Sequence, residues 1–490
     1  MDLNYRMLIK ISSLILAVTG ISMLPSIICA AIYGEAACLK AFAVFFVLFT
    51  AAGFLIYKKI PAHYSHISAR DGFLIVAACW IVSCLFGAFP YMFSGEGFTF
   101  AESVFESTAG FTTTGATSID GFLEPKSLIL FKAVAHWLGG MGILILAVSI
   151  LPAMGIGGQN IAKAETPAPR VDKLSNRISD SARILYIMYF MLSLLEFILL
   201  MFNRKMTVFD ALVNTLSTIS TSGIITHETG LAFYESFYVE IIITVFTIFA
   251  SINFNLYYFL LNGRIKEFFE NTELRAFLGI VAVVTAIITL NLWINGVYDG
   301  IFSSLRYAFI QVVSFISTSG FTFTNFMSWP VLSKLLLFML MFIGCCAAST
   351  GGGIKVIRVV VMVKLIFRGF IRRIHPRAVV AVKIGNKAVS GPMVSQISTF
   401  ILVYAFIYIL SCIILSLNNL DFETTLTATA GMMSNSGIGM GLFGVEGNLS
   451  MFSSASQLFL SLLMLVGRLE LFTLLFLFVP GFWNPNRQKN

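Results

Sequence analysis

Four short stretches of small polar residues run into a glycine within strongly apolar surroundings: Thr113-Thr114-Gly115, Thr221-Ser222-Gly223, Thr318-Ser319-Gly320 and Asn435-Ser436-Gly437. The four glycines are spaced by 108, 97 and 117 residues, so each closes the same piece of a repeated unit. Glycine after small hydroxyl residues takes backbone angles closed to other residues and lets a chain turn its carbonyls toward an axis. Four such turns around one axis carry the chemistry of a cation filter, in which backbone oxygens replace the ion's hydration shell. Small residues also pack membrane helices closely, which explains one such motif but not four at matching positions.

The elements that must hold these turns follow from composition. Hydrophobic residues make up 58% of the 490 and charged residues 11%, with a mean hydropathy of +0.89. Ten apolar runs have the length of a bilayer-crossing helix, near 8–32, 38–58, 72–94, 127–152, 182–202, 236–262, 274–295, 331–364, 393–417 and 453–480. A shorter apolar stretch of about 12 to 15 residues, too short to span, leads into each glycine motif and suits a re-entrant helix. The order is therefore long helix, short helix, polar-glycine turn, long helix, four times. The predicted organisation is a two-helix hairpin over 1–62, then repeats over 63–165, 166–264, 265–388 and 389–490. Glu102, Asp210, Asp299 and Asp421 stand at or near the starts of the short helices. Carboxylates there favour the positive end of each helix dipole, leaving the negative end aimed at the turn, where a cation is stabilised. Ordinary capping would place the same residues there in a protein that moved no ions.

The net charge of +8 gains its meaning from placement. Of the 32 Lys and Arg, 24 lie in 1–10, 58–70, 153–183, 263–275, 355–387 and 484–490, segments that ten spans put on one face. By the positive-inside rule that face is cytoplasmic, as are both termini, while the glycine motifs and the loops around Asp120, Glu228, Glu235 and Glu446 lie outside. The basic balance reads as orientation and contact with anionic lipid, with no nucleic-acid partner. The hydrophilic connection from Arg368 to Lys387, with His375-Pro376, is either a handle for a cytoplasmic partner or topological charge alone. Seven cysteines fall mostly in apolar runs without metal-site spacing, Cys345-Cys346 being adjacent, and read as packing residues. Arg6 and Lys10 before an apolar run mimic a signal peptide, but the run is long and a second one ending in Lys58-Lys59 follows, which favours a retained hairpin.

Two further features stand out below the turns. Gly344-Cys345-Cys346-Ala347-Ala348-Ser349-Thr350-Gly351-Gly352-Gly353 interrupts what would otherwise be one helix from 331 to 369. Each glycine there costs a helix about 1 kcal/mol relative to alanine, and a break at membrane depth is tolerated only when buried or lining a water-filled path. Lys355 after the glycines does not make a phosphate loop, because Ile354 precedes it and Val356 follows. Arg468 falls mid-span in the last apolar run, where a charge faces a pathway or a partner. Glu470 is about 200° around a helix from it and does not share its face; a salt bridge with Glu196 or Glu470 of packed helices is the alternative. Other ionisable residues at lipid depth are few, His136 and Glu196, with no evident carboxylate relay.

At these residues the chain resembles the Trk/Ktr/HKT potassium transporter family, most closely its bacterial TrkH-type uptake subunit. The marks are His136-Trp137-Leu138-Gly139-Gly140-Met141-Gly142, Phe209-Asp210-Ala211-Leu212, Ser217 to Gly223, Ser349-Thr350-Gly351-Gly352-Gly353-Ile354-Lys355, His375-Pro376-Arg377, Gly467-Arg468-Leu469-Glu470 and Pro480-Gly481-Phe482-Trp483. The resemblance implies an all-α polytopic membrane protein with two N-terminal helices and four membrane–pore-loop–membrane repeats in pseudo-fourfold arrangement around a central ion pathway. It carries the potassium-binding filter onto the twelve residues of the four turns, and the gate onto an intramembrane loop, 344–354, with Gly344, Ser349, Thr350, Gly351, Gly352, Gly353 and Lys355, and onto Arg468, pointing into the pore beside it. Ala348 stands where the family commonly has glycine. In related plant transporters a serine at the first filter glycine goes with sodium, so Gly115 favours potassium. The family further implies potassium uptake at the bacterial inner membrane, a homodimer, a cytoplasmic TrkA-type nucleotide-binding ring, no cofactor beyond the transported ion, and no enzyme activity. A proton- or sodium-coupled symporter on the same scaffold is the alternative. An intramembrane hydrolase using a serine and His136 is a remote one, since no Gly-x-Ser-x-Gly elbow is present.

Overall fold

The computed structural model describes residues 3–61, 68–117, 125–142, 178–224, 226–227, 230–385, 387–444 and 451–483. The expected loops around Asp120, Glu228 and Glu446, the basic stretches 153–177 and 484–490, and the second half of the run 127–152 lie outside the described residues. The chain is helical, apart from a small hairpin pairing Lys383 with Ala388 and Ile384 with Lys387.

An N-terminal hairpin comes first: helices Tyr5–Ile21 and Leu24–Tyr33, a left-handed turn at Gly34, then Ala36–Lys59. The arms approach closely because Gly53 lies against the backbone of Ser13 and Ala17, where a side chain would overlap. Four outer helices follow, Ala69–Gly87, Ile178–Leu200, Thr272–Ile294 and Gly391–Leu415. Each leads into a short pore helix: Phe100–Phe111, Val208–Ile219, Ile301–Ile316 and Phe422–Met433. Their starts are written in the sequence. Thr99 and Glu102 form a reciprocal capping box, Thr207 accepts from the Asp210 amide, and Asp421 accepts from the Thr424 amide. The third departs from expectation: Gly300 is its N-cap, with no side-chain bond, and Asp299 caps nothing there.

The four inner helices begin at Lys126, Phe237, Val331 and Ser454, and none of their described parts is one straight span. The first ends at Gly140. The second bends by 97° between Ser251 and Phe254, and the fourth by 115° between Arg468 and Phe472. The third stops at Ile343 and resumes at Val356, continuing to Ile374, where His375 before Pro376 ends it. Among the described residues five helices are long and apolar enough to cross a membrane, or up to seven if each bent pair counts as one span. That is fewer than the ten runs expected, within the described residues, and the sequence foresaw only the third of these breaks. One buried apolar cluster joins the N-terminal helix to repeats one and four, a second centres on repeat two and takes in Ile310, Phe321 and Phe323 of repeat three, and a third centres on repeat three and takes in Ala430, Ile438 and Met440 of repeat four.

Candidate functional site

The four polar-glycine turns are the C-terminal ends of the four pore helices, built the same way. The first residue of each, Thr113, Thr221, Thr318 and Asn435, has a left-handed backbone with φ of 57°, 52°, 56° and 59°. Its amide donates to the carbonyl three residues back, and the amide after it donates to the carbonyl five residues back: Thr114 to Ala109, Ser222 to Ser217, Ser319 to Ser314 and Ser436 to Gly431, at 2.9–3.1 Å. This pair of bonds is a Schellman ending, which normally places glycine at the left-handed position. A β-branched threonine there is strained, and three of four repeats accept the strain. The turn reverses the chain sharply, so the next two residues run away from the helix end.

The glycines then close a ring. A Cβ on Gly115 would overlap the Ser222 carbonyl, on Gly223 the Ser319 carbonyl, on Gly320 the Ser436 carbonyl, and on Gly437 the amide of Gly115. Repeat one therefore meets two, two meets three, three meets four, and four returns to one. All twelve predicted filter residues lie in this ring, and all but the half-buried Gly115 are buried. Only backbone can approach backbone this closely, which is why glycine stands at each corner.

Behind the ring the repeats differ. In the second, the Ile224 amide donates to Ser217 Oγ at 2.7 Å; in the third, Ser314 Oγ donates to the Phe321 carbonyl at 2.6 Å; in the fourth, Gly431 lets the Ile438 carbonyl pack against the pore helix. In the first, the brace is ionic. Lys132 Nζ lies 2.5 Å from Glu106 Oε2 and donates to the Ala116 carbonyl at 2.9 Å, and Thr117 donates to Glu106 Oε1 at 2.8 Å.

On the pore-helix side of the ring lies the glycine-rich loop between Ile343 and Val356. The Gly352 amide donates to Thr318 Oγ1 at 2.8 Å, and Cys345 Sγ donates to the Ser317 carbonyl at 3.2 Å. A Cβ on Gly352 would strike the Ser434 carbonyl. The loop thus presses against the ends of pore helices three and four. Its other side rests on the bend of the second inner helix: the Cys346 amide donates to Ser251 and the Phe254 amide to Ala348. Glu273 Oε1 accepts from the amides of Ala347 and Ile357, pinning both legs, and Lys355 Nζ donates to the Gly351 carbonyl. Gly344, Gly353, Ala348 and Lys355 all have positive φ, so the loop folds tightly on itself. Ala348 accepts that conformation without being glycine. Ser349 Oγ donates to the Cys346 carbonyl. The seven cysteines are free and, save half-buried Cys412, buried, as expected of packing residues.

Arg468 joins three repeats. It is not mid-helix, as the apolar run suggested, but in the last turn before the 115° bend. Its guanidinium donates to the Thr350 carbonyl at 2.8 Å and the Gly140 carbonyl at 3.0 Å, and also to Gly139. A cation from repeat four thereby holds the loop of repeat three to the end of the first inner helix. Glu470, offered as an alternative partner, is instead paired with Arg358, which also donates to the Ile354 carbonyl. Glu470 and Leu471 form the bend with φ of 53° and 62°.

The structure buries more ionisable residues than His136 and Glu196. Glu106, Lys132, Glu240, Glu273, Lys355 and Arg358 are buried alongside His136 and Glu196. Their signal was a charged residue inside an apolar run; their partners lie too far along the chain to be read. Of the acidic loops expected outside, Glu235 is described and pairs with Lys205 at 3.1 Å on the surface.

Residues 37–484 match the family model TrkH, described as a cation transport protein. The Trk system potassium uptake protein TrkH of Salmonella typhimurium is 35% identical over 486 residues, 98% of this chain and 100% of the relative. TrkG of Escherichia coli, also named a Trk system potassium uptake protein, is 30% identical, covering 95% of this chain and 96% of its own. The crystal structure of the potassium transporter TrkH from Vibrio parahaemolyticus superposes with a TM-score of 0.87 at 32% identity, covering 98% of this chain and 100% of that one.

Proposed function

This chain belongs to the TrkH family of cation transport proteins, and from that premise we propose that it takes up potassium through a gated, channel-like path. Thr113, Thr114, Gly115, Thr221, Ser222, Gly223, Thr318, Ser319, Gly320, Asn435, Ser436 and Gly437 form the filter. The loop 344–354 with Lys355, and Arg468, form the gate. The observation that carries this reading is the closed succession of glycine-to-backbone approaches through all four repeats, to a carbonyl from the first three glycines and to the Gly115 and Ala116 amides from the fourth. A ring with backbone oxygens at every quarter replaces the water of a monovalent cation without burying a fixed charge, and the pore-helix ends aim their negative poles at it. With one glycine per quarter, it offers fewer well-defined positions than a filter with two.

Below the ring, the loop occupies the path and Arg468 adds positive charge beside it. Opening requires Gly351 and Gly352 to withdraw from Ser317, Thr318 and Ser434, and Arg468 to release Thr350. The functional units are 1–62, 63–165, 166–264, 265–388 and 389–490. The chain works as a homodimer in the bacterial inner membrane with both termini cytoplasmic. A cytoplasmic nucleotide-binding ring of the TrkA type engages the end of the amphipathic helix Val356–Ile374 and the hairpin after it, where Arg372, Arg373, Arg377, Lys383 and Lys387 are exposed. A transporter family leaves no role for the hydrolase alternative.

The test is ion flux into liposomes with Gly115, Gly223, Gly320 and Gly437 each replaced by serine. Graded loss of potassium preference is expected, whereas indifference at all four positions removes the filter assignment. Potassium currents whose reversal potential ignores the proton and sodium gradients fit the channel-like path, and a dependence on either establishes coupling.

A further inference from the structure

Six residues before the helix cap, each pore helix places one buried side chain behind its filter turn: Glu106, Asn214, Gln311 and Ala428. Only the first can carry charge, and only there does a lysine from the inner helix meet it. Lys132 and Glu106 have side-chain exposures of 7% and 0%. The same pair clamps the two residues after Gly115, since Lys132 holds the Ala116 carbonyl and Glu106 holds the Thr117 hydroxyl. The matching carbonyl in repeat three, Phe321, is held by the neutral hydroxyl of Ser314.

We propose that the Glu106–Lys132 pair is a specificity-determining brace, fixing the Ala116 carbonyl at the outer edge of the filter and giving the first quarter a different field from the other three. The proposal rests on the filter reading above. Three arguments carry it. Burying an ion pair contributes little net stability compared with apolar residues of the same volume, so packing alone does not account for it. A carbonyl engaged by an ammonium has one lone pair committed and its dipole opposed, so it attracts a passing cation less than its counterparts. A charge-assisted bond at 2.9 Å also restrains that carbonyl more stiffly than a neutral bond, and the spacing of ring oxygens separates potassium from smaller sodium.

The experiment measures initial potassium and sodium uptake into liposomes containing the full chain. The variants are E106Q/K132M, K132M and the swap E106K/K132E, with Gly115→Ser in parallel and monodispersity and melting temperature recorded for each. E106Q/K132M leaves no buried charge unpaired and carries the test even if K132M does not assemble. The expected result is a fall in the potassium-to-sodium ratio of about tenfold in E106Q/K132M, the effect of one charge-assisted hydrogen bond, with partial recovery in the swap. A well-assembled E106Q/K132M with the wild-type ratio overturns the proposal. So does equal loss of both fluxes, or failure of that variant to assemble, since either marks the pair as purely structural. If Gly115→Ser lowers the ratio while E106Q/K132M does not, this inference fails and the filter stands; if neither does, the filter reading fails first.

Discussion

The ring and the barrier beneath it are built on opposite plans. The ring is made four times from nearly the same parts: a strained left-handed residue, a hydroxyl residue and a glycine whose missing side chain admits the next repeat's backbone. The barrier is made once, from a loop of repeat three, an arginine of repeat four and the helix end of repeat one. Coordination of an ion needs oxygens on all sides of it, which repetition supplies. Obstruction needs one piece that can leave. On the proposed reading, confining that piece to one repeat would let the other three quarters of the pathway stay rigid while it opens.

The largest effect is expected where the asymmetric part is cut. Arg468→Ala removes three charge-assisted bonds to carbonyls, each worth about 1.5–3 kcal/mol, so potassium flux should rise by at least about tenfold with the potassium-to-sodium ratio unchanged. Liposome uptake of both ions checks this. Next comes the symmetric part. Gly223→Ser places a side chain onto the Ser319 carbonyl at a residue with φ of 65°, while Gly115 lacks a positive φ. Loss of selectivity should therefore be larger at Gly223 than at Gly115, measured as the ratio of the two uptake rates.

A smaller effect sits at the joint between the two plans. Thr318 belongs to the ring, yet its hydroxyl accepts from the loop at Gly352. Thr318→Val removes that acceptor and leaves a buried amide unsatisfied, costing about 1–3 kcal/mol, which should raise leak through the closed gate by a few-fold, about fivefold for 1 kcal/mol. Thr318→Ser keeps the acceptor and should leave the leak at the wild-type level; single-channel recording separates the two. The smallest effect lies at the outer end of a pore helix. The Thr424 hydrogen bond holds the Asp421 carboxyl below its ordinary value. A depressed carboxyl contributes stability above the unfolded-chain value, about 3.9, and loses it as pH falls through the lower folded value. Asp421→Asn should retain most of the cap and remove that acid-range loss, read as melting temperature against pH.

Much of the ring is legible in the sequence, and little of the loop's fastening is. Repetition announces the turns, and Thr99, Thr207 and Asp421 announce the pore helices, because caps act within three or four residues of chain. The loop was legible from glycine density. The bends at Ile252-Asn253 and Leu469 to Leu471 were not, since the residues that interrupt the apolar runs there, Ser251, Asn253 and Asn255 at the first and Gly467, Arg468 and Glu470 at the second, also occur in unbroken helices. Nor could Glu106 with Lys132, Arg358 with Glu470, or Glu273 with Ala347 be paired by inspection. Which charge meets which is set by how the repeats close around the axis, and that closure is visible only in three dimensions.

The central claim is that selection and obstruction are separate structures. The most direct measurement compares initial potassium and sodium uptake into liposomes carrying Arg468→Ala and Gly223→Ser side by side. The account predicts that Arg468→Ala raises both rates and keeps their ratio, while Gly223→Ser lowers the ratio without a comparable rise in rate. A changed ratio in Arg468→Ala, or an unchanged one in Gly223→Ser, would contradict it.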